Sequence, residues 1–368
     1  MNSISLLTIE EKMESTTLNN INTYDYDDHN VTVEEPCSSD GENLLGAQLS
    51  TIYYFMFLFS LFGNGLVLVI IHRFEKLTTV TNILLLNLVV SSLMFMSSLP
   101  FVGVYKQLSY WIFGEVMCKI VGSVYYLGLY SSVLFLTLLT FDRHLAVVYS
   151  LRASQVRNQR YALLSCAVVW LVSGLACIPK MILHKTFSTL IDNKMFCQEH
   201  PGNTTSVDDK LRASGFYLQL FLFLLFPLIV IVYCYVRIAI TVISSKIVTK
   251  FKTVRLIFVI VLLFFICWTP FNIVELIHDD DDDDDDPVIP SCDEKKKRGY
   301  AREVTHDIAY IYFCISPIFY TFVGKKFQSY FRQLLVKRFP GLKKHISVSQ
   351  VSRTNMSTKS TQKSLELS

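Results

Sequence analysis

Charge is scarce in this chain. Of its 368 residues 18% are Asp, Glu, Lys or Arg, while 51% are hydrophobic. A soluble protein of this length carries more charge, and the shortage argues against one. The net charge of +3 gives no hint of a nucleic-acid partner. No His-rich metal spacing, phosphate loop or motif around a nucleophile and base is visible, so neither an enzyme nor a cofactor or metal is expected. The opening MNSISLLTIEEK lacks an apolar core, so no cleavable signal is expected and the first span must direct insertion itself. No internal repeat is visible, which leaves little weight on a transporter.

What the chain has instead is apolar residues gathered into seven runs, at 46–72, 81–104, 116–144, 160–183, 213–240, 254–278 and 302–323. Each is long enough to cross a bilayer. The expected fold is an all-α membrane protein, a seven-transmembrane helix bundle. Short connections on one side hold Arg73 and Lys76, then Arg152, Arg157 and Arg160, then Lys246, Lys250 and Lys252. Those loops and the basic tail are therefore cytoplasmic and the N-terminal arm is extracellular. The expected divisions are an acidic arm (1–45), the membrane domain (46–323), an amphipathic surface helix (324–337) and a Ser/Thr-rich cytoplasmic tail (338–368). Met13 offers an alternative start. Asn30 opens a glycosylation sequon in the arm, and Asn203 opens another in an outer loop. An unbroken run, Asp279 to Asp286, reads as a solvated spacer, with attraction of cations or a basic ligand as the alternative.

The third run, Cys118 to His144, organises the rest. It is apolar on all sides yet carries Tyr125, Tyr126, Ser131 and Ser132, and it ends on the ion pair Asp142-Arg143. Polar groups at chosen points mark a packed central span rather than a simple anchor. Prolines at 100, 179, 227, 270 and 317 lie inside spans, where kinks widen one end of a bundle into a pocket. Cys37, Cys118, Cys197 and Cys292 lie in or beside loops, an even number suited to disulfides outside the cell.

Gly63-Asn64, Asp142-Arg143, Trp170, Cys118 with Cys197, Cys267-Trp268-Thr269-Pro270 and Pro317-Ile318-Phe319-Tyr320 together resemble a class A, rhodopsin-like G-protein-coupled receptor over residues 46–337. Trp111-Ile112-Phe113-Gly114, Ser98-Leu99-Pro100, Phe141 to Val148 and Phe322 to Phe327 resemble the chemokine-receptor branch. Val80 to Ile83, Leu129 to Ser132 and His184-Lys185 lean towards the XC (lymphotactin) type, with the CC type close.

The resemblance implies a multi-pass plasma-membrane receptor. It would bind a basic chemokine of the XC or CC type, couple to Gi-type G proteins, and be handled by receptor kinases and arrestin. It implies disulfides Cys118–Cys197 and Cys37–Cys292, with free thiols as the plain alternative. It implies sulfation of Tyr24 and Tyr26 which, with Asp27 and Asp28, would receive the ligand. Even unsulfated, a flexible anionic arm speeds encounter with a cation; the plain alternative is a solubilising arm. The pocket is expected to use Tyr105, Tyr125, Tyr126, Trp268, Phe271, Glu275 and His306, though any one of these suits core packing as well. His306 stands where many relatives carry a glutamate, and Glu275 is the expected substitute. The inner switch is expected to comprise Asp142, Arg143, Tyr235, Pro270, Pro317 and Tyr320. Ser92, Ser316 and His144 depart from the pattern. The two serines lack the carboxylate a hard cation prefers, so no sodium effect is expected. These departures also keep open an atypical scavenging receptor that binds chemokine without G-protein signalling.

Overall fold

The computed structural model describes residues 42–74, 79–149, 157–188, 194–199, 206–245, 251–282, 292–318 and 325–339. Ten α-helices and one hairpin make up these segments. In chain order they are α1 (Glu42–Phe74), α2 (Val80–Met96), α3 (Leu99–Leu108), α4 (Gly114–Val148), α5 (Gln159–Leu183), β1 (Lys185–Ser188), β2 (Met195–Gln198), α6 (Ser206–Leu220), α7 (Phe226–Ser245), α8 (Phe251–Asp282), α9 (Cys292–Ile318) and α10 (Lys325–Arg338). Helices α2 and α3 are two halves of one span, as are α6 and α7, so the bundle has seven.

Among the described residues five helices are long and apolar enough to cross a membrane: Ser50–Phe74, Val80–Leu108, Gly114–Val148, Gln159–Leu183 and Lys210–Ser244. The apolar stretch of α8, Val261–Ile277, is shorter. The outer half of α9 is highly charged, with Arg298, Arg302, Glu303 and Asp307. Its apolar part lies towards the inner end, from Ile308 to Ile318 among the described residues, and the helix continues unbroken.

The α2–α3 break has a local cause. Pro100 has no N–H to return to the preceding turn. The hydroxyls of Ser97 and Ser98 instead donate to the carbonyls of Met94 (2.6 Å) and Phe95 (2.7 Å). The helix restarts at Leu99, with α2 packed on α4 and α3 packed on α1. A similar interruption, the five-residue π-turn Phe221–Leu225, joins α6 to α7 just before Pro227. Asn158 caps α5 by accepting the Tyr161 N–H at 2.8 Å.

Helix α4 lies at the centre, packed on α2, α5 and α7. Phe95 is fully buried against it, its ring 4.8 Å from Tyr125, 5.2 Å from Tyr310 and 4.0 Å from Phe313. Gly128 makes the approach possible, because a Cβ there would stand 2.5 Å from the Phe95 backbone nitrogen. Trp170 is fixed by its indole N–H, which donates to Asn87 Oδ1 at 2.9 Å. At the inner end the short helix α10 returns to α1, where Tyr330 stacks on Phe74 at 5.0 Å.

Candidate functional site

The outer end of the bundle is held open by a covalent frame. A disulfide joins Cys118 at the start of α4 to Cys197 in β2, with Cα atoms 5.7 Å apart. β1 and β2 pair antiparallel, Thr186 facing Cys197. Trp111 braces the same corner: its backbone N–H donates to Met195 O (2.6 Å) and its indole N–H to Gly114 O (2.8 Å). Gly114 takes φ 76°, a left-handed conformation that suits glycine.

Beneath this frame lies a cavity of about 480 Å³. Tyr105, Tyr125, Tyr126, Phe271 and His306, all expected there, line it. Tyr125 and His306 are joined at 2.7 Å between the hydroxyl and Nε2. Two expected residues do not line it. Trp268 sits lower, under Phe271 and against Phe95, where aromatic packing has claimed it. Glu275 is not among the lining residues, although its ion-pair partner Arg302 is. The carboxylate among the lining residues is Glu303, one turn above His306 on α9 and paired with Lys106 across the cavity on α3. The sequence reading missed Glu303; the spacing 303, 306, 310 on one helix face was the available signal.

A second charged group anchors the hairpin. Lys180, buried near the end of α5, is paired with Glu199 and stands 4.8 Å over the ring of Tyr126. Tyr126 donates its hydroxyl to the other Glu199 oxygen at 3.0 Å. Burial disfavours the Glu199 charge, but Lys180, with the Tyr126 hydroxyl, outweighs it and holds the carboxyl below its usual range. His184 is also lowered, chiefly because burial disfavours its charged form. Its ring lies against Gly122, with no room for a side chain between.

At the inner end Asp142 is fully buried. It meets Arg143 at 3.4 Å, Thr81 at 3.1 Å and Arg157 through two contacts, at 2.6 and 2.9 Å. Arg143 also donates to Thr81 Oγ1. The expected pair is thus part of a four-residue cluster. Tyr235 lies nearby on α7 with its ring edge-on to Phe258 at 5.1 Å. His144 is buried among Phe141, Tyr149 and Tyr233. Ser92, also buried, donates to Leu88 O at 3.0 Å, and so satisfies itself within α2. Pro270 lies inside α8.

The remaining expected residues fall elsewhere. Tyr24, Tyr26, Asp27, Asp28, Asn30, Cys37, Asn203 and Tyr320 lie outside the described residues, as do the side chains of Cys292, Ser316 and Pro317. Five further cysteines, Cys166, Cys177, Cys234, Cys267 and Cys314, are buried free thiols. Among the described residues no cluster of His, Cys, Asp and Glu could hold a metal ion.

The sequence pattern described as "7 transmembrane receptor (rhodopsin family)" matches residues 63–320. The chain is 36% identical over 320 residues to C-C chemokine receptor type 1 of Macaca fascicularis, covering 86% of each. It is 34% identical over 316 residues to C-C chemokine receptor type 3 of Cavia porcellus, covering 85% of this chain and 84% of the relative. It is 34% identical over 310 residues to G-protein coupled receptor E1 of Equine herpesvirus 2 (strain 86/87), covering 83% and 78%. The named chemokine receptors are of the CC type, not the XC type towards which Val80 to Ile83 lean. The chain belongs to the rhodopsin family of seven-transmembrane receptors and, within it, to the chemokine receptors.

Proposed function

We propose that the chain is a plasma-membrane receptor for a basic chemokine of the CC type and that it activates Gi-type G proteins, giving calcium release and directed migration. The observation that carries this reading is the pairing of a large aromatic cavity on the outer side with a buried arginine cluster on the inner side, both built on α4.

In this reading the acidic arm, residues 1–45, makes the first contact, and Tyr24, Tyr26, Asp27 and Asp28 attract the cationic ligand. The ligand's flexible N-terminus then enters between the hairpin and α9. Tyr105, Tyr125, Tyr126 and Phe271 give it apolar walls, and Glu303 takes its terminal ammonium, a role His306 cannot fill while bonded to Tyr125. Binding favours a state in which α8, hinged near Pro270, swings away from α4. Arg143 then leaves Asp142 and meets the G protein, with Tyr235 and Tyr320 supporting the open state. The span domain is 46–323, α10 lies on the inner leaflet, and the tail from 338 is phosphorylated by receptor kinases and read by arrestin.

The test is a panel of CC chemokines applied to transfected cells, read by calcium flux and migration. A response blocked by inactivating Gi supports the proposal. Internalisation of bound chemokine with no calcium release in any member of the panel overturns the coupling and favours a scavenger.

A further inference from the structure

The inner cluster is not balanced as a simple two-residue lock. Asp142 has two carboxylate oxygens, and Arg157 engages both: Nε donates to Oδ1 at 2.6 Å and a terminal nitrogen donates to Oδ2 at 2.9 Å. That is the two-point geometry in which arginine holds a carboxylate most strongly. Arg143 reaches Oδ2 alone, at 3.4 Å, beyond the range of a good charge-assisted bond. Its nearer contact is the neutral hydroxyl of Thr81, which in turn donates to Oδ2 at 3.1 Å. The Arg143 Nε is buried with no hydrogen-bond partner among the described residues. Two guanidinium groups therefore share one carboxylate, and they repel each other across it.

We propose that Arg157 is a positioning residue that sets the resting bias of the receptor: by occupying Asp142 it leaves Arg143 weakly held, so the receptor activates G protein without ligand. This rests on the coupling proposed above. Arg157 does not touch the G protein in this scheme. It acts by taking the counter-charge that would otherwise keep Arg143 in place. Removing it lets Arg143 close on both oxygens of Asp142 and quietens the receptor.

The experiment needs no chemokine. Membranes of cells expressing an epitope-tagged full-length receptor are supplied with Gi heterotrimer, and uptake of a non-hydrolysable GTP analogue is measured at matched surface density. The wild type should exceed mock-transfected membranes several-fold. Arg157→Ala should fall to half the wild-type excess or less. Arg157→Lys, which keeps the charge but not the fork, should fall between them, and it carries the test should Arg157→Ala miss the surface. Asp142→Asn should exceed wild type, because nothing then holds Arg143. In that background Arg157→Ala should change nothing further, a result that separates positioning from a general structural role.

Basal uptake in Arg157→Ala equal to or above wild type overturns the inference, since Arg157 would then be indifferent or part of the lock. A silent wild type beside an active Asp142→Asn overturns the inference and leaves the coupling intact. Silence of both Asp142→Asn and wild type overturns the coupling and the inference together.

Discussion

Lys106 and Glu303 offer a prediction whose sign is contrary to intuition. Glu303 is proposed to receive the ligand's ammonium, yet at rest it is paired with Lys106 across the cavity. The ligand must therefore displace a cation of the receptor's own. The pair is partly exposed, with side-chain accessibilities of 36% and 25%, so breaking it costs roughly 0.5–1 kcal/mol. Lys106→Met removes that competitor and should tighten chemokine binding by about two- to fivefold. Glu303→Gln removes the counter-charge itself. A hydrogen bond to a charged group contributes about 1.5–3 kcal/mol, so binding should weaken by roughly 10- to 150-fold. The double variant decides between this account and a generic loss of surface charge. With Glu303 neutral there is nothing for Lys106 to occupy, so adding Lys106→Met to Glu303→Gln should have no further effect. Competition binding with a CC chemokine that scores in the panel, on surface-matched cells, supplies all four corners of the cycle. Weaker binding in Lys106→Met, or additive effects in the double variant, would refute the displacement argument.

Four further outcomes follow from the same structure. Cys118→Ser opens a loop of 79 residues, worth about 4–5 kcal/mol as an upper value because spans held in a bilayer have less freedom to regain; chemokine binding should be lost and the melting temperature of detergent-purified receptor should drop. Gly128→Val should abolish folded receptor at the surface by flow cytometry, since the new Cβ meets Phe95 backbone atoms at 2.5 and 2.7 Å, whereas Gly174→Ala, with open space around it, should express normally. Glu199 titrates below an ordinary carboxylate, so its contribution is complete above the ordinary range and disappears only as pH falls through the lowered value; the melting-temperature gap between wild type and Glu199→Gln should stay constant from pH 7.5 to about 5 and shrink below that. Exchange of sodium for a bulky organic cation should leave agonist affinity unchanged, because Ser92 spends its hydroxyl on Leu88 O and brings no charge; a sodium effect abolished by Ser92→Ala would overturn this.

Much of the bundle was legible because membrane physics writes itself in runs. Long apolar stretches give the helices, and Pro100 the α2–α3 break, without reference to any partner. The run 116–144 reads as the central span, and α4 is packed on α2, α5 and α7. The site was legible only as a set of residue types. Each acid near the cavity has its own partner, Glu275 with Arg302, Asp307 with Tyr53 at 2.7 Å and Glu303 with Lys106, and only Glu303 of the three lines the wall. Those partners lie on other helices or a turn away, and no periodicity records them. Arg157 was read as a topological charge, and only the fold brings it to Asp142. The π-turn Phe221–Leu225 was hidden because FLFLL suits an ordinary apolar helix equally well.

The charged outer half of α9 bears on how the receptor is made. A segment carrying Arg298, Arg302, Glu303 and Asp307 is a poor substrate for the translocation machinery when presented alone. Its ion pairs are with neighbours, Arg302 to Glu275 on α8 and Glu303 to Lys106 on α3, so its polar groups are masked only once those helices are already waiting. The outer half of the last span therefore has its charges matched only when α8 and α3 stand beside it. The stability of the last helix is in this way tied to the packing of two helices that precede it in the chain.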